Sequence, residues 1–339
     1  MLQYIIRRLL LIPPTFLGIT LLVFAVTRFV PGGPVERMIA QMQQASLESG
    51  SSSNTEMGAK GLSDEQIEQL NAYYGFDKPI LESYLSWLGN VLTGDLGTST
   101  RYSDPVWDII KDRFPISIFY GLASIIITYI VCIPLGVIKA IKHETPIDNA
   151  SSILVFTGYA IPGYVIGIIL LVYLGSEMQL FPLGGFMSDD FEDFTLGEQI
   201  IDILHHAALP LTAYIMGSFA LTTIMMKNAL MDNLAADYVR TAMAKGNTFK
   251  GAVLKHAFQN SLIPLATHFG NNISLVIAGS FLIEKIFNID GFGLLGYESI
   301  VERDYPVVLG ILVISSILQL VGNLLSDICV ALVDPRVQF

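Results

Sequence analysis

Six separate apolar runs, each close to the length of a bilayer-crossing helix, constrain this chain more than any other feature. They cover residues 9–30, 116–138, 151–174, 206–226, 262–283 and 306–332. A helix needs ~20 consecutive apolar residues to cross the hydrocarbon layer, where every backbone polar group has to find its partner within the protein. Apolar residues make up 52% of the 339 residues, charged residues only 14%, and the mean hydropathy is +0.57. These values predict an all-α, polytopic membrane protein with six spans rather than a large soluble core. Arg7 and Arg8 precede the first run as a secretory signal would have it, but the run is long and no A-x-A-like site follows. The expectation is an uncleaved anchor.

Lysine and arginine set the orientation. With the N-terminus inside, ten of the nineteen fall on inner pieces: Arg7, Arg8, Lys139, Lys142, five in the segment 227–261, and Arg336. The outer loop 175–205 has none. Positive charge is retained on the cytoplasmic side, so the expected topology is N-in and C-in. The formal net charge of −11 lies mostly outside, with Asp189, Asp190, Glu192, Asp193 and Glu198 in one outer loop. A solvated surface explains this acidity, and a docking surface or a filter for cationic substrates is the sharper alternative. Nothing in the pattern points to nucleic acid. The two cysteines, Cys132 and Cys329, sit near inner ends of spans, so the fold should rest on helix packing rather than a disulfide.

The chain divides into an N-terminal transmembrane helix (1–30), an outer helical segment (31–112) and a five-span domain (113–332). Pro31–Pro34 breaks the first helix, and the Gln-, Ser- and Gly-rich stretch 41–61 reads as flexible. Ser63 and Gln66 form a capping-box pattern for a helix ending at Gly75. An amphipathic helix follows Pro79, with Ile80, Leu81, Tyr84, Leu85, Leu88, Val91 and Leu92 at helical spacing and Gly94 beyond its end. Asp104–Pro105 opens a short helix leading into the second span. The segment between spans one and two is thus expected to be a small helical cap on the outer, periplasmic side.

One polar, basic interruption stands out between the fourth and fifth spans. From Asp237 to Pro264 the chain reads DYVRTAMAKGNTFKGAVLKHAFQNSLIP. Leu234 to Lys245 reads as a short helix that stops at Gly246, a residue suited to a left-handed C′ position. Asn247 or Thr248 can cap a second helix with Phe249, Val253, Leu254 and Ala257 at helical spacing. By composition this is a basic loop of two amphipathic helices, or a docking element for another protein.

The pattern R-T-A-x-A-K-G followed by a basic helix and N-x-L-I-P resembles the EAA-type coupling loop of ABC importer permeases, in the variant typical of peptide permeases. Other blocks resemble the same family in order along the chain. They include GFDKPI (Gly75 to Ile80), Trp87-Leu88, GDLG (Gly94 to Gly97), Arg113-Phe114-Pro115, IEKIFNIDGFGLLGYESIVERDYPVVLG (Ile283 to Gly310) and Asp334-Pro335-Arg336. PGGPVE, GYAIP (Gly158 to Pro162) and LFPLGG are most similar to the Yej-type branch, linked to oligopeptide and microcin C uptake. The resemblance implies an ABC type-1 permease fold and an ATPase-coupling role, within the loop 234–261, for Asp237, Tyr238, Arg240, Thr241, Ala242, Ala244, Lys245 and Gly246. Tyr238, Thr241, Ala242 and Lys245 are expected to be presented to the ATPase groove. It also implies a second homologous permease, ABC ATPase subunits that bind the ATP and magnesium, and a periplasmic peptide-binding protein. Arg240 stands where the original pattern is acidic and Met243 where it is commonly basic.

Other signals are weaker. GFGLLG (Gly291 to Gly296) matches G-x-G-x-x-G, but a dinucleotide site needs a preceding strand, and here a turn between spans is expected. No Walker A pattern occurs, so the chain needs an external motor for ATP-driven work. Neither H-E-x-x-H nor a Cys/His cluster is present, so no metal site is expected. Arg28, Glu284 and Asp327 lie near span ends, where snorkelling or backbone contacts suffice, and Asp327 could pair with a partner's helix. The chief rival reading is an ion-coupled secondary transporter. A membrane-embedded enzyme would need a paired nucleophile and base, which the spans lack.

Overall fold

The computed structural model describes residues 2–29, 68, 78–277 and 279–334. Among them every regular element is helical, apart from an isolated bridge between Thr98 and Pro105. The expected break at Pro31–Pro34, the flexible stretch 41–61 and the helix opened by Ser63 lie outside the described residues.

Helix α1 (Leu2–Phe29) contains the first apolar run as far as Phe29, and α2 (Ile80–Leu92) is the amphipathic helix expected after Pro79. The second run lies in α3 (Val106–Ile141), which begins directly after Asp104–Pro105, so the expected short lead-in helix is its first turns. The third run is not one rod. Helix α4 (Pro146–Ala160) and α5 (Gly163–Leu170, continued by a π turn Leu171–Glu177) meet at 93°. The cause is Ile161–Pro162: Pro162 has no N–H to donate, and Ile161 before it adopts extended backbone at φ −96 and ψ 122.

Helix α6 (Leu196–Ala235) holds the fourth run and opens with a capping box in which Thr195 and Glu198 satisfy each other's backbone N–H groups. Its 40 residues extend about 60 Å at ~1.5 Å per residue, twice the ~30 Å hydrocarbon layer, so part of it must project beyond any membrane. Helix α7 (Asp237–Ala244) follows, then α8 (Phe249–Ala252), a π turn (Val253–Ala257) and α9 (Phe258–Ser261). The expected continuous fifth span, 262–283, is instead α10 (Ile263–Ile277) and α11 (Phe281–Ile286). The chain turns at Gly279, whose φ of +78 suits glycine, and wraps the buried Glu284 carboxylate. That group accepts from the Leu294 N–H at 2.6 Å and the Tyr214 hydroxyl at 3.1 Å, while Ser280 N–H donates to the Tyr214 oxygen. A buried carboxylate that gathers backbone donors in this way is incompatible with an uninterrupted helix. Helices α12 (Phe292–Val301) and α13 (Tyr305–Val333) complete the chain.

Among the described residues, four helices are long and apolar enough to cross a membrane, and the bent pair α4–α5 makes a fifth crossing if counted as one span. The residues form two compact units. The first comprises Met1–Ile12, Arg113–Leu295 and Ile317–Phe339, and the second Pro13–Asp112 and Gly296–Ser316.

Within the first unit, one core joins Tyr120 of α3, Ala207, Leu209, Leu211 and Ala213 of α6, and Ile283, Phe287 and Ile289. A second joins Ala140 of α3 to Met226 and Leu230 of α6 and to the basic segment. At Gly136 any side chain would overlap Met226 and the Thr223 carbonyl, so α3 and α6 approach almost backbone to backbone. Asp327 of α13 pairs with Arg8 of α1 at 3.1 Å within this unit. The pairing supplies a partner inside the chain for the residue considered for contact with another subunit. Gly291 and Gly293 of the GFGLLG block pack against Glu284, with no strand before them.

The second unit is tied by Asp304, which is fully buried and accepts from Ser99 Oγ at 2.5 Å and from the backbone N–H groups of Thr100 and Arg101. Arg101 in turn pairs with Glu298 and Glu302, both at 2.9 Å.

Candidate functional site

The basic interruption forms a short helix anchored on one side and bare on the other. Ala236, in extended backbone at φ −72 and ψ 146, separates α7 from α6 and turns the chain. The helix expected from Leu234 therefore begins at Asp237, and Leu234 belongs to α6. Its end follows the Schellman pattern: Asn247 N–H donates to Ala242 O at 3.2 Å and Gly246 N–H to Met243 O at 2.9 Å, with Gly246 at φ +95. Thr248 then caps α8, its hydroxyl accepting from Gly251 N–H at 3.2 Å.

The inward side of α7 is Val239, fully buried, with Ala242 at 7% exposure. Val239 shares a core with Ala140, Met226, Leu230, Ala252, Val253, Ala257 and Leu265. Tyr238 is half-buried, and its hydroxyl donates to Asn233 Oδ1 at 2.5 Å and accepts from Asn260 Nδ2 at 3.1 Å. Asn233 Nδ2 donates to Ser261 Oγ and to the Ala229 carbonyl, so one polar chain links α6, α7 and α9. Tyr238 and Ala242, expected on the presented face, thus hold the helix to its base. Asp237, Arg240, Thr241, Met243, Ala244, Lys245 and Gly246 are exposed. Phe249 and Leu254 beside them are half-exposed apolar groups, which gives the bare side both charge and greasy area.

Directly behind this core lies a charge cluster that composition did not single out. Asp148, in the first turn of α4 and ahead of the apolar stretch, receives Lys227 Nζ of α6 at 2.9 and 2.7 Å on its two oxygens. Lys139 Nζ of α3 lies 2.9 Å from Asp148 Oδ1 and also reaches the Asp148 carbonyl, Ser151 Oγ and Ser152 Oγ. His143 Nδ1 and the Glu144 N–H both lie 3.2 Å from Oδ2. Lys139 and Asp148 are 2% and 3% exposed. Burial would raise the Asp148 carboxyl, but hydrogen bonds from Lys227, Lys139, His143 and the Glu144 N–H outweigh it and hold the group well below the usual carboxylate range. Lys139 and Lys227 each adjoin a residue of the Val239 core, Ala140 and Met226. The one legible signal was that Lys139 and Asp148 are charged residues bracketing a short loop in a chain with few charges.

Among the described residues no group of three metal-ligating side chains occurs. His205 and His206 contact the Leu180 and Asp202 carbonyls instead.

Residues 132–339 match the family described as "Binding-protein-dependent transport system inner membrane component". The chain belongs to that family. The matched region of this permease contains the whole of the basic segment Asp237–Pro264. It is 40% identical over 356 aligned positions to the "Peptidoglycan transport system permease protein YejB" of Agrobacterium fabrum (strain C58 / ATCC 33970), covering 99% of this chain and 98% of the relative. It is equally similar, 40% over 359 positions with 99% and 98% covered, to the "Inner membrane ABC transporter permease protein YejB" of Escherichia coli O157:H7. To the "Oligopeptide transport system permease protein AppB" of Bacillus subtilis (strain 168) it is 36% identical over 340 positions, with both chains fully covered. The permease is an inner-membrane, non-catalytic subunit of an ABC transport system, and ATP hydrolysis belongs to a separate chain.

Proposed function

We propose that this permease carries peptides or peptide-like compounds inward and that Asp237–Gly246 is the grip of a separate ATPase. The observation behind this reading is the two-sidedness of α7. Val239, Ala242 and Tyr238 fasten it to the same core as α3 and α6, while Arg240, Thr241, Ala244 and Lys245 stay bare. A contact made on the bare side would push on α6, which is long enough to reach across the membrane, as a rigid body. The peptide cargo follows from the names carried by similar chains.

The finer architecture belongs to the same proposal. Six crossings, N-in and C-in, place the coupling segment in the cytoplasm, with the bent α4–α5 as the third crossing and α10–α11, broken at Gly279, as the fifth. A second homologous permease completes the pathway, and a periplasmic binding protein delivers substrate. Affinity purification in mild detergent tests this. Recovery of ATPase subunits and a second permease, with peptide-stimulated ATP hydrolysis, is the expected result. A lone chain that transports under an ion gradient would overturn it.

A further inference from the structure

Helix α2 (Ile80–Leu92) has three faces where a helix in a soluble cap needs two. At about 100° per residue, Tyr84, Trp87, Leu88 and Val91 make one face. Tyr84 and Leu88 are buried with Phe24 of α1, and the Phe24 ring lies 5.7 Å from Tyr84 and 5.5 Å from Trp87. The Tyr84 hydroxyl reaches Thr20 Oγ1 at 3.0 Å and donates to the Leu17 carbonyl at 3.2 Å. Leu81, Leu85 and Leu92 fall in a second sector only about 40° wide. They are 65, 58 and 73% exposed. Glu82, Ser86 and Asn90, all exposed, form a third sector centred about 120° away from the leucines.

The place where α2 crosses α1 says what covers the leucines. The contact runs from Phe16 to Phe24, about 12 Å along α1 at ~1.5 Å per residue. That stretch lies within the apolar run 9–30 of α1. Helix α1 is long and apolar enough to cross a membrane, and a helix packed on its apolar run is then brought against the hydrocarbon layer. Leu17, Leu21 and Leu22 of α1 are exposed apolar groups in the same unit, so the leucine stripe continues a lipid-facing surface. Trp107 at the start of α3 is half-exposed, as aromatic groups at a bilayer interface are.

We infer that α2 is an interfacial helix, with Leu81, Leu85 and Leu92 in the acyl chains of the leaflet at the C-terminal end of α1 and Glu82, Ser86 and Asn90 toward water. An amphipathic helix held this way buries its apolar face roughly 5–10 Å below the headgroups. Helix α2 is then not part of a water-borne cap but of the membrane-contacting surface. The inference does not depend on the cargo or on the coupling segment.

Nitroxide labels on Leu85→Cys, Leu92→Cys, Ser86→Cys and Asn90→Cys test it, in the full chain with its partner subunits in lipid nanodiscs and with Cys132 and Cys329 replaced by alanine. Collision with oxygen, which concentrates in lipid, is compared with collision with a water-soluble nickel chelate. The oxygen-to-nickel ratio should be several-fold higher at 85 and 92 than at 86 and 90. High nickel collision at all four positions would put the helix in water and overturn the inference. Low collision with both reagents at 85 and 92 would mean that another protein chain covers the stripe, and would overturn it equally. The same labels on chain still carrying Cys132 and Cys329, corrected for the unsubstituted parent, decide between these outcomes if the alanine background folds poorly.

Discussion

The Lys227 ammonium stands 2.7 Å from the Asp148 carboxylate, which the buried ammonium of Lys139 also reaches, at 2.9 Å. This pairing joins the end of α3, the start of α4 and the C-terminal part of α6 at one point, next to the core that receives α7. A carboxylate there makes two inward-pointing lysines tolerable, because each would otherwise be desolvated without a counter-charge.

Asp148→Asn should therefore destabilise the fold by about 3–5 kcal/mol, since it leaves buried charge uncompensated. Lys227→Met should cost less, because Lys139 and His143 still face the carboxylate. Thermal unfolding of the purified complex in detergent reads both. Equal midpoints for Asp148→Asn and the parent would show that the cluster carries no structural weight.

The same cluster sets a pH dependence. The Asp148 carboxyl titrates lower in the folded chain than in the unfolded one, where a value of ~3.9 is usual. Its contribution is therefore complete above the unfolded value and is lost as pH falls from there through the folded one. Unfolding midpoints should be flat with respect to this group near neutrality and fall below about pH 4. The fall should be shallower in Asp148→Asn, and an unchanged slope would remove Asp148 as its source.

On the bare face of α7, Arg240→Ala and Lys245→Ala should leave stability within about 0.5 kcal/mol of the parent, since neither side chain is buried. Transport should fall at least about tenfold, corresponding to ~1.4 kcal/mol of lost contact. Val239→Asp, which puts a charge into the shared core, should instead lower the amount of folded protein. Uptake at parent levels in both exposed variants would place the ATPase contact elsewhere.

Gly246→Ala probes the turn by itself. Its φ of +95 lies where an L side chain is strained, and a Cβ there meets nothing else, so the cost is conformational, about 1–2 kcal/mol. Since the Schellman bonds end α7 at this glycine, coupling should suffer more than folding. Comparing uptake with the unfolding midpoint separates the two.

What the residues alone determined was local and periodic. The amphipathic period after Pro79, the helix-stopping role of Gly246 and the cap at Thr248 are encoded within a few residues and appear in the structure as expected. Membrane residence follows from run length, because no soluble core accommodates that many apolar residues in succession. Two of the six runs nevertheless are not simple rods, and the difference is instructive. The bend at Ile161–Pro162 was written in the chain but reads equally as a mild kink, and its 93° depends on what α4 and α5 pack against. The break at Gly279 depends on Glu284, whose donors come from Tyr214, 70 residues earlier, and Leu294, ten later.

The same division holds at the site. Sequence singled out the basic segment as a pair of short helices, but the inward turn of Tyr238 and Ala242 was decided by Asn233, Asn260 and the α6 core. It counted Lys139 as one more positive charge and could not show Asp148 closing on it or Lys227 closing on Asp148, because those contacts span 9 and 79 residues. Hydrophobic run length and capping act over a few residues and are legible in order along the chain. Which face of a helix is covered, and which charge meets which, depends on elements distant in sequence that only the folded chain brings within a few ångströms.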